Sequence, residues 1–440
     1  MTLPIQIRDN NRDGFLINDE NHLANLAKIA EKPIAQLNLD NNPNLLIFPQ
    51  NFQEYGDKIG DQYVFEVKGN KLYTGNIMGF IGYRDTKVRI HSRFSQSDGN
   101  DYFLHYMLQK VFALNIFDLK FHADDESIFD FLIYLFPAFL KRAMQQGLYK
   151  EYQTRNYNDA NVRGRIDVNR HIRINSPFSG RVAYSIREYA YDNHVTQLVR
   201  HTIEYIANQP YNGGILQNDE QIKDAVSLIR EATPSYSQNE RRKVINQNLR
   251  PVSHPYFSEY RNLQRLCLQI IRHDEIKYGQ KADEIYGVLF DGAWLWEEYL
   301  NTILQDCGFT HPQNKMFKGK IPLFNDGSAP RYPDFHRGDM VLDAKYKRYA
   351  NLKLQNIDGE DLNQVITYMY ILAVKHGGFI VPWPNSLRDF KPQPKMLNGY
   401  NGSMNIYGIT VDTPVKNYKE YCNLMAQYER EFKNMFKKRL

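Results

Sequence analysis

Two aspartates and a lysine in the last third of the chain have the types and spacing that phosphodiester chemistry requires. Pro333-Asp334 is followed, after eight residues, by Asp343-Ala344-Lys345. On a strand over 339–346, Asp343 and Lys345 point to one face, because side chains alternate with period two. His336-Arg337-Gly338 reads as a turn that pairs this strand with 331–335 and brings Asp334 near Val341, on the same face. Two carboxylates and an ammonium then converge. Such oxygen ligands suit a hard divalent cation, and Mg²⁺ takes few carboxylates, filling its shell with water and phosphate oxygens. A cation held there polarises a phosphodiester, while the lysine orients or helps deprotonate the attacking water. The plainer reading of the same residues is a surface ion-pair cluster.

The elements around this pattern must position it. A helix is expected from about Ala293 to Asp306, ending before Gly308. On it Glu297 shares a face with Leu300 and Leu304, an inner flank where a carboxylate is costly without a metal or a partner. Glu298 aligns with Thr302 and Gln305 and points to water. Strands are expected at 315–324, 331–335 and 339–346, then a helix at about 360–376 ending at Gly377-Gly378. Gln364 and Tyr368, four apart on that helix, are spaced to bond the lysine, the water or a phosphate, or to stand as ordinary surface polar groups. Strands at 379–381 and 405–411 and a closing helix at 417–437 complete an αβββαββα order. That order is a mixed α/β domain with one central sheet.

Upstream, Phe65 and Val67 lead into Gly69-Asn70, a hairpin turn, and a second hairpin pairs 79–83 with 87–91. Its return strand places Val88 and Ile90 on one face and Lys87, Arg89 and His91 on a polar, solvated one. After residue 101 the pattern turns helical. Residues 126–147 form an apolar helix that Pro137 kinks or divides, and 181–192 a strand. Asp192-Asn193 caps a helix bearing Val195, Leu198, Val199 and Ile206. Ile222 to Ile229 and Leu263 to Ile271 mark two more. The expected division is a β-rich domain at 1–110, a mostly helical region at 111–280 and a catalytic domain at 281–440.

A chain of 440 residues is too long for one small module, and 42% apolar with 24% charged residues excludes disordered and fibrous classes. Cys267, Cys307 and Cys422 are too few and too scattered for a disulfide framework or a cysteine-rich zinc site. The apolar run 131–140 is half a bilayer span and is interrupted by Pro137. The beginning MTLPIQIRDNNRDG lacks the apolar core of a signal peptide, so a cytoplasmic protein with no membrane partner is expected. The net charge of +5 is mild, so local clusters such as Arg163-Gly164-Arg165 and Lys345 to Arg348 matter more. No GxxxxGK[ST] loop occurs, so the chain is not expected to hydrolyse nucleotides itself.

The Pro-Asp…Asp-x-Lys pattern with this order of elements resembles the PD-(D/E)xK nuclease superfamily. More narrowly, the chain resembles the McrC family, the nuclease subunits of McrBC-type and LlaJI-type restriction systems. The resemblance is carried by LFDGAWLWEEYL (289–300), RYPDF with LDAKYK (331–335, 342–347), LNQVITYMY (362–370), VRGRIDV (162–168) and REYAYDNHVTQLVRHTI (187–203). GFIGYRDTKVRIHSRF (79–94) is also similar to the family's β-hairpin segment. It implies that Asp334, Asp343 and Glu297 ligate Mg²⁺, that Lys345 serves the attacking water, and that Gln364 and Tyr368 support it. It further implies double-stranded DNA as substrate, a separate McrB-like AAA+ GTPase as partner, and a docking role for the first 280 residues. An autonomous nuclease of the same superfamily and a non-catalytic GTPase-stimulating subunit are the alternatives. Arg163 and Arg165 would touch either DNA phosphates or the partner.

Overall fold

The computed structural model describes residues 4–39, 42, 45–49, 59–96, 101–112, 125–209, 213–217, 219–277, 285–312, 319–348, 354, 357–388, 393–398 and 401–437. The chain forms two units, one combining 1–128 with 279–440, the other holding 129–278. The stretches expected as separate domains at 1–110 and 281–440 thus share one unit. The strand Ile285–Asp291 explains why. It is buried along its whole length and pairs antiparallel with Ile77–Tyr83 and parallel with Leu45–Phe48, inside the N-terminal sheet. The chain passes from this strand directly into the helix Gly292–Leu304. A short apolar run just before a helix carries no periodicity that marks it as a strand.

The N-terminal sheet runs in the order 5–8, 86–91, 77–83, 285–291, 45–48. Its hairpin turns at Arg84-Asp85, with Arg84 left-handed at φ 53°. Val88 and Ile90 are buried as expected. The opposite face is only partly solvated, with Lys87 and Arg89 half-buried. His91 is buried beside Asp101, the N-cap of the helix Tyr102–Val111. Burial pushes the His91 imidazole down to about 4 and the Asp101 carboxyl up to about 6. The expected small hairpin is present, with Phe65–Lys68 and Lys71–Thr74 meeting around Gly69-Asn70.

The C-terminal sheet is mixed, in the order 335–337, 340–344, 376–383, 403–410, 395–396. The central three strands are parallel and both edges antiparallel. The expected strand 331–335 is broken instead. Pro330–Arg331 pairs with Ile321–Pro322, and Phe335 begins a new strand beyond Pro333, which has no N–H to donate to a ladder. Of the expected strand 315–324, residues 315–318 lie outside the described residues. The helix Gly359–Leu372 stops at left-handed Ala373, not at Gly377-Gly378. Those glycines sit inside the strand His376–Trp383 because a Cβ on either would fall 2.4 Å from a neighbour, Met369 Sδ or the Asn405 carbonyl. Tyr418–Lys437 closes the unit.

The second unit is less helical than expected. A nine-residue strand, Glu151–Asp159, pairs along its length with Val182–Ala190, and the short strand Arg165–Ile166 adds to the other side. EYQTRNYND lacks the apolar alternation that would have announced a strand; the ribbon is held instead by stacked pairs, Tyr152 on Tyr189 and Tyr157 on Tyr184. Asp125–Gln145 runs as one helix through Pro137, undivided. The helix His194–Ala207 has the expected Asn193 cap, completed as a capping box with Thr196. Val195, Leu198, Val199 and Ile206 are buried, and the helix packs against Ser258–Lys277. Among the described residues no helix is long and apolar enough to cross a membrane.

Candidate active site

The hairpin that carries the aspartates pairs Phe335 with Leu342, His336 with Val341 and Arg337 with Met340, leaving Gly338-Asp339 as the turn. His336 and Arg337 are therefore strand residues, not turn residues. Continuing this register puts Asp334 opposite Asp343 instead of opposite Val341. A slip of two residues preserves the facing of every side chain, so the convergence survives. Asp334 Oδ2 accepts a 2.7 Å hydrogen bond from the Ala344 N–H, which fixes that carboxylate beside Asp343. The Asp334 carbonyl accepts from His311 Nδ1 at 2.6 Å, and the His311 ring stacks on Phe335.

Lys345 stands just past the strand end, its N–H bonded to the Ile380 carbonyl at 2.9 Å. That carbonyl also accepts from Trp296 Nε1, tying the helix Gly292–Leu304 to the same point. The Lys345 ammonium lies 2.9 Å from Asp343 Oδ2 and 3.0 Å from Asp361 Oδ1. Gln364 Oε1 accepts from it at 3.4 Å, Gln364 Nε2 donates to the Tyr368 hydroxyl at 2.7 Å, and that hydroxyl donates to the Tyr332 carbonyl. Burial disfavours the ammonium, but Asp343 and Asp361 outweigh it and hold Lys345 above the ordinary lysine range. Asp343 is 2% exposed, and its burial raises the carboxyl against the pull of Lys345. Asp361, also drawn upward by burial, is held low by Lys347 and Lys345.

A cavity of about 870 Å³ opens over these groups. All six residues singled out from the sequence line it: Glu297, Asp334, Asp343, Lys345, Gln364 and Tyr368. Glu298 is half-buried like Glu297 but does not line it. Sequence reasoning missed Asp361, although it lies one turn before Gln364 on the same helix face. It also missed Tyr346, whose hydroxyl bonds Ser92 Oγ at 3.1 Å and whose carbonyl accepts from Arg93 Nη1 at 3.0 Å. Gly292 makes room for that ring, since a Cβ there would lie 2.7 Å from it.

The residues present fit a hard cation. Asp343 Oδ2 is buried, and the Lys345 ammonium 2.9 Å from it is shared with Asp361. A buried carboxylate that shares its ammonium is further stabilised by a cation beside it. Asp334 and Glu297 supply further oxygens on the same cavity. No three His, Cys, Asp or Glu side chains form a closed cage among the described residues. Mg²⁺ does not require one, since it keeps water and substrate oxygens in its shell.

The site is thus two carboxylates and a lysine presented to one cavity by a mixed sheet of an α/β protein. Over residues 72–382 the chain matches the model of the family described as McrBC 5-methylcytosine restriction system component, and it belongs to that family. Comparison with curated proteins gives no match. Among solved structures the chain is similar to one in the refined half-complex from the tetradecameric assembly of Thermococcus gammatolerans McrB AAA+ hexamers with bound McrC. The identity is 16%, covering 98% of this chain and 100% of that one, with a TM-score of 0.49. Another similar chain, from the Thermococcus gammatolerans McrBC complex, is 15% identical over 69% of this chain and 88% of that one, with a TM-score of 0.35.

Proposed function

We propose that this protein is the McrC-like, PD-(D/E)xK-type nuclease subunit of its restriction system, cutting double-stranded DNA with Mg²⁺. The observation that carries the reading is the convergence of Asp334, Asp343 and Lys345 at one strand end, in a chain of the McrBC family. Asp343, Asp334 and Glu297 would hold the cation, which supplies charge neutralisation and polarisation of the phosphodiester when bound. Lys345 is a fixed donor. Asp343 on one side, Asp361 on the other and Gln364 beside them aim its ammonium at the space where a water or a phosphate oxygen sits. Because that orientation exists before substrate arrives, little reorganisation is needed as charge builds on the phosphoryl oxygens. Tyr368, anchored to the Tyr332 carbonyl, holds Gln364 in turn.

The partner in this reading is a cytoplasmic McrB-like AAA+ GTPase, which activates cutting and is stimulated by this subunit. The second unit supports a docking role by its surface. Ile166, Val168, Ile172, Ile174 and Phe178, between 47% and 69% exposed, cluster in sequence with the exposed Arg163 and Arg165. Exposed apolar side chains rimmed by charge are the mark of an interaction surface. The test mixes the purified chain with its genomic AAA+ neighbour, GTP and Mg²⁺, and follows cleavage of modified duplex DNA. Cutting should require all three. Unchanged cutting by the Asp343→Ala, Lys345→Ala double variant would sink the proposal.

A further inference from the structure

We propose that the Asp9–Gly14 turn of the N-terminal sheet forms one wall of the substrate cleft, with Asn10 and Arg12 binding DNA phosphates that flank the scissile one. The proposal rests on the phosphodiesterase reading above and adds to it a second wall from a segment assigned only to docking. Arg331 and Arg348 line the cavity over Asp343, and so do Asn10, Arg12 and Asn76 of the N-terminal segment. Basic side chains lining an open cavity beside its carboxylates suit a polyanion such as a phosphate backbone.

The turn is held firmly. Asn10 is left-handed at φ 51°, and its N–H donates to the Gly75 carbonyl at 2.6 Å. The Asn11 N–H donates to Thr74 Oγ1 at 3.0 Å, while Asn11 Oδ1 accepts from the N–H groups of Asp13 and Gly14, each at 3.1 Å. The root of the turn is Asp9, fully buried and ion-paired with Arg93 at 2.5 Å. The same guanidinium donates to Asn76 Oδ1 at 2.6 Å and, from Nη1, to the carbonyl of Tyr346, the residue after Lys345. One buried arginine thus links the turn to the lysine segment.

At its tip, Asn10 and Arg12 are exposed, and among the described residues their side chains have no hydrogen-bond or ion-pair partner. A guanidinium offers a planar fork of donors that matches a phosphate, and the Asn10 amide adds two more. An ordinary solvated arginine needs none of this: neither a pinned turn nor a place on the wall of the reactive cavity.

The test measures binding of the full chain to a fluorescent DNA duplex in EDTA, so that nothing is cut, across a range of salt concentrations. Arg12→Ala should weaken binding about fivefold to tenfold whatever the duplex sequence, and should lower the salt slope by about one. Asn10→Ala should weaken it less and leave the slope alone, while Arg12→Lys should keep the slope. Unchanged affinity and slope in Arg12→Ala, with the parent chain binding normally, overturns this wall and leaves the phosphodiesterase reading standing. Failure of the parent chain to bind any duplex also overturns this wall, while the phosphodiesterase reading stands or falls on the three-component cleavage assay.

Discussion

In the unit that holds the candidate site, charged groups are drawn inside; in the second unit, the helix Val168–Ile174 and the loop after it carry apolar side chains outward. Asp9, Asp343 and Arg93 are each under a tenth exposed and each meets an opposite charge. Phe178, Ile172 and Val168 are more than half exposed. Burying a charge costs several kcal/mol unless it is paired, and leaving large apolar side chains in water forgoes about 25 cal/mol per Å². Both are departures from what folding alone favours. The first suits groups that must be held rigid at a reaction centre. The second suits groups that become covered in a complex.

The contrast is broken most directly at Asp343. Asp343→Asn should reduce cleavage by about a thousandfold or more, since the carboxylate is the buried centre of the site. It should leave the fold intact or slightly more stable, because the buried charge is relieved. A cleavage assay and a thermal melt on one preparation check this; loss of folding together with activity would make Asp343 a structural residue. Arg93→Ala comes next. It leaves Asp9 buried without its cation and should cost about 3–5 kcal/mol. All three tryptophans (Trp294, Trp296 and Trp383) lie in this unit, so urea unfolding followed by tryptophan fluorescence reports it alone. Replacing the pair together, Asp9→Leu with Arg93→Met, should restore part of the loss.

What could be read from the sequence follows the range of the interactions. Asp343 and Lys345 are two apart on a strand, and Gln364 and Tyr368 four apart on a helix, so period alone groups them. The hairpin register was missed by two residues, because the turn is Gly338-Asp339 and Arg337 is engaged in a fork to Asp339. Arg93 and Tyr346 meet across 253 positions, and no local rule anticipates such a contact. The strand Glu151–Asp159 was illegible for another reason. Its partners are tyrosine rings and ladder bonds, not a hydrophobic face. The N-terminal sheet borrows its strand Ile285–Asp291 from the far side of the second unit, so a division drawn along the chain could not have found it.

Acid should separate the two units. In the second unit His201 is 4% exposed, and burial, then the charges of Arg241 and Arg200, push its imidazole down to about 4; Glu240 opposes them and the Tyr236 ring lies against it. The folded pKa is depressed, so the unfolded chain takes the proton first. Stability is complete above about pH 6.5 and falls toward pH 4, by at most about 3 kcal/mol. In the first unit His91 behaves the same way, lowered to about 4 by burial and by Arg89 and Arg8. Beside it Asp101 is raised to about 6, so the folded state takes that proton first and gains stability as pH falls through 6. His91 and Asp101 thus oppose each other, as do the neighbouring buried His105, lowered by burial, and Asp9, raised by it. Hydrogen exchange across the helix His194–Ala207 at pH 7 and 5 should show the loss, and His201→Gln should flatten it. Equal acid sensitivity in both units would remove the distinction.

The smallest change is expected at the exposed apolar surface of the second unit. Phe178 is 69% exposed, with the His171 ring as its ring contact at 6.0 Å between centroids. Phe178→Ser should therefore move the stability of the isolated chain by no more than about 0.5 kcal/mol. Covering the same ring in a complex removes most of its area from water, and a central aromatic contact is worth about 1.4 kcal/mol or more. Stimulation of the AAA+ partner's GTPase should accordingly need about tenfold more of the variant, with DNA cleavage by the assembled system recovering at that higher concentration. A steady-state GTPase titration reads this. If the variant stimulates at the parent concentration, the exposed apolar side chains of the second unit have some other purpose. The contrast between buried charge and exposed apolar surface then ceases to mark reaction on one side and docking on the other.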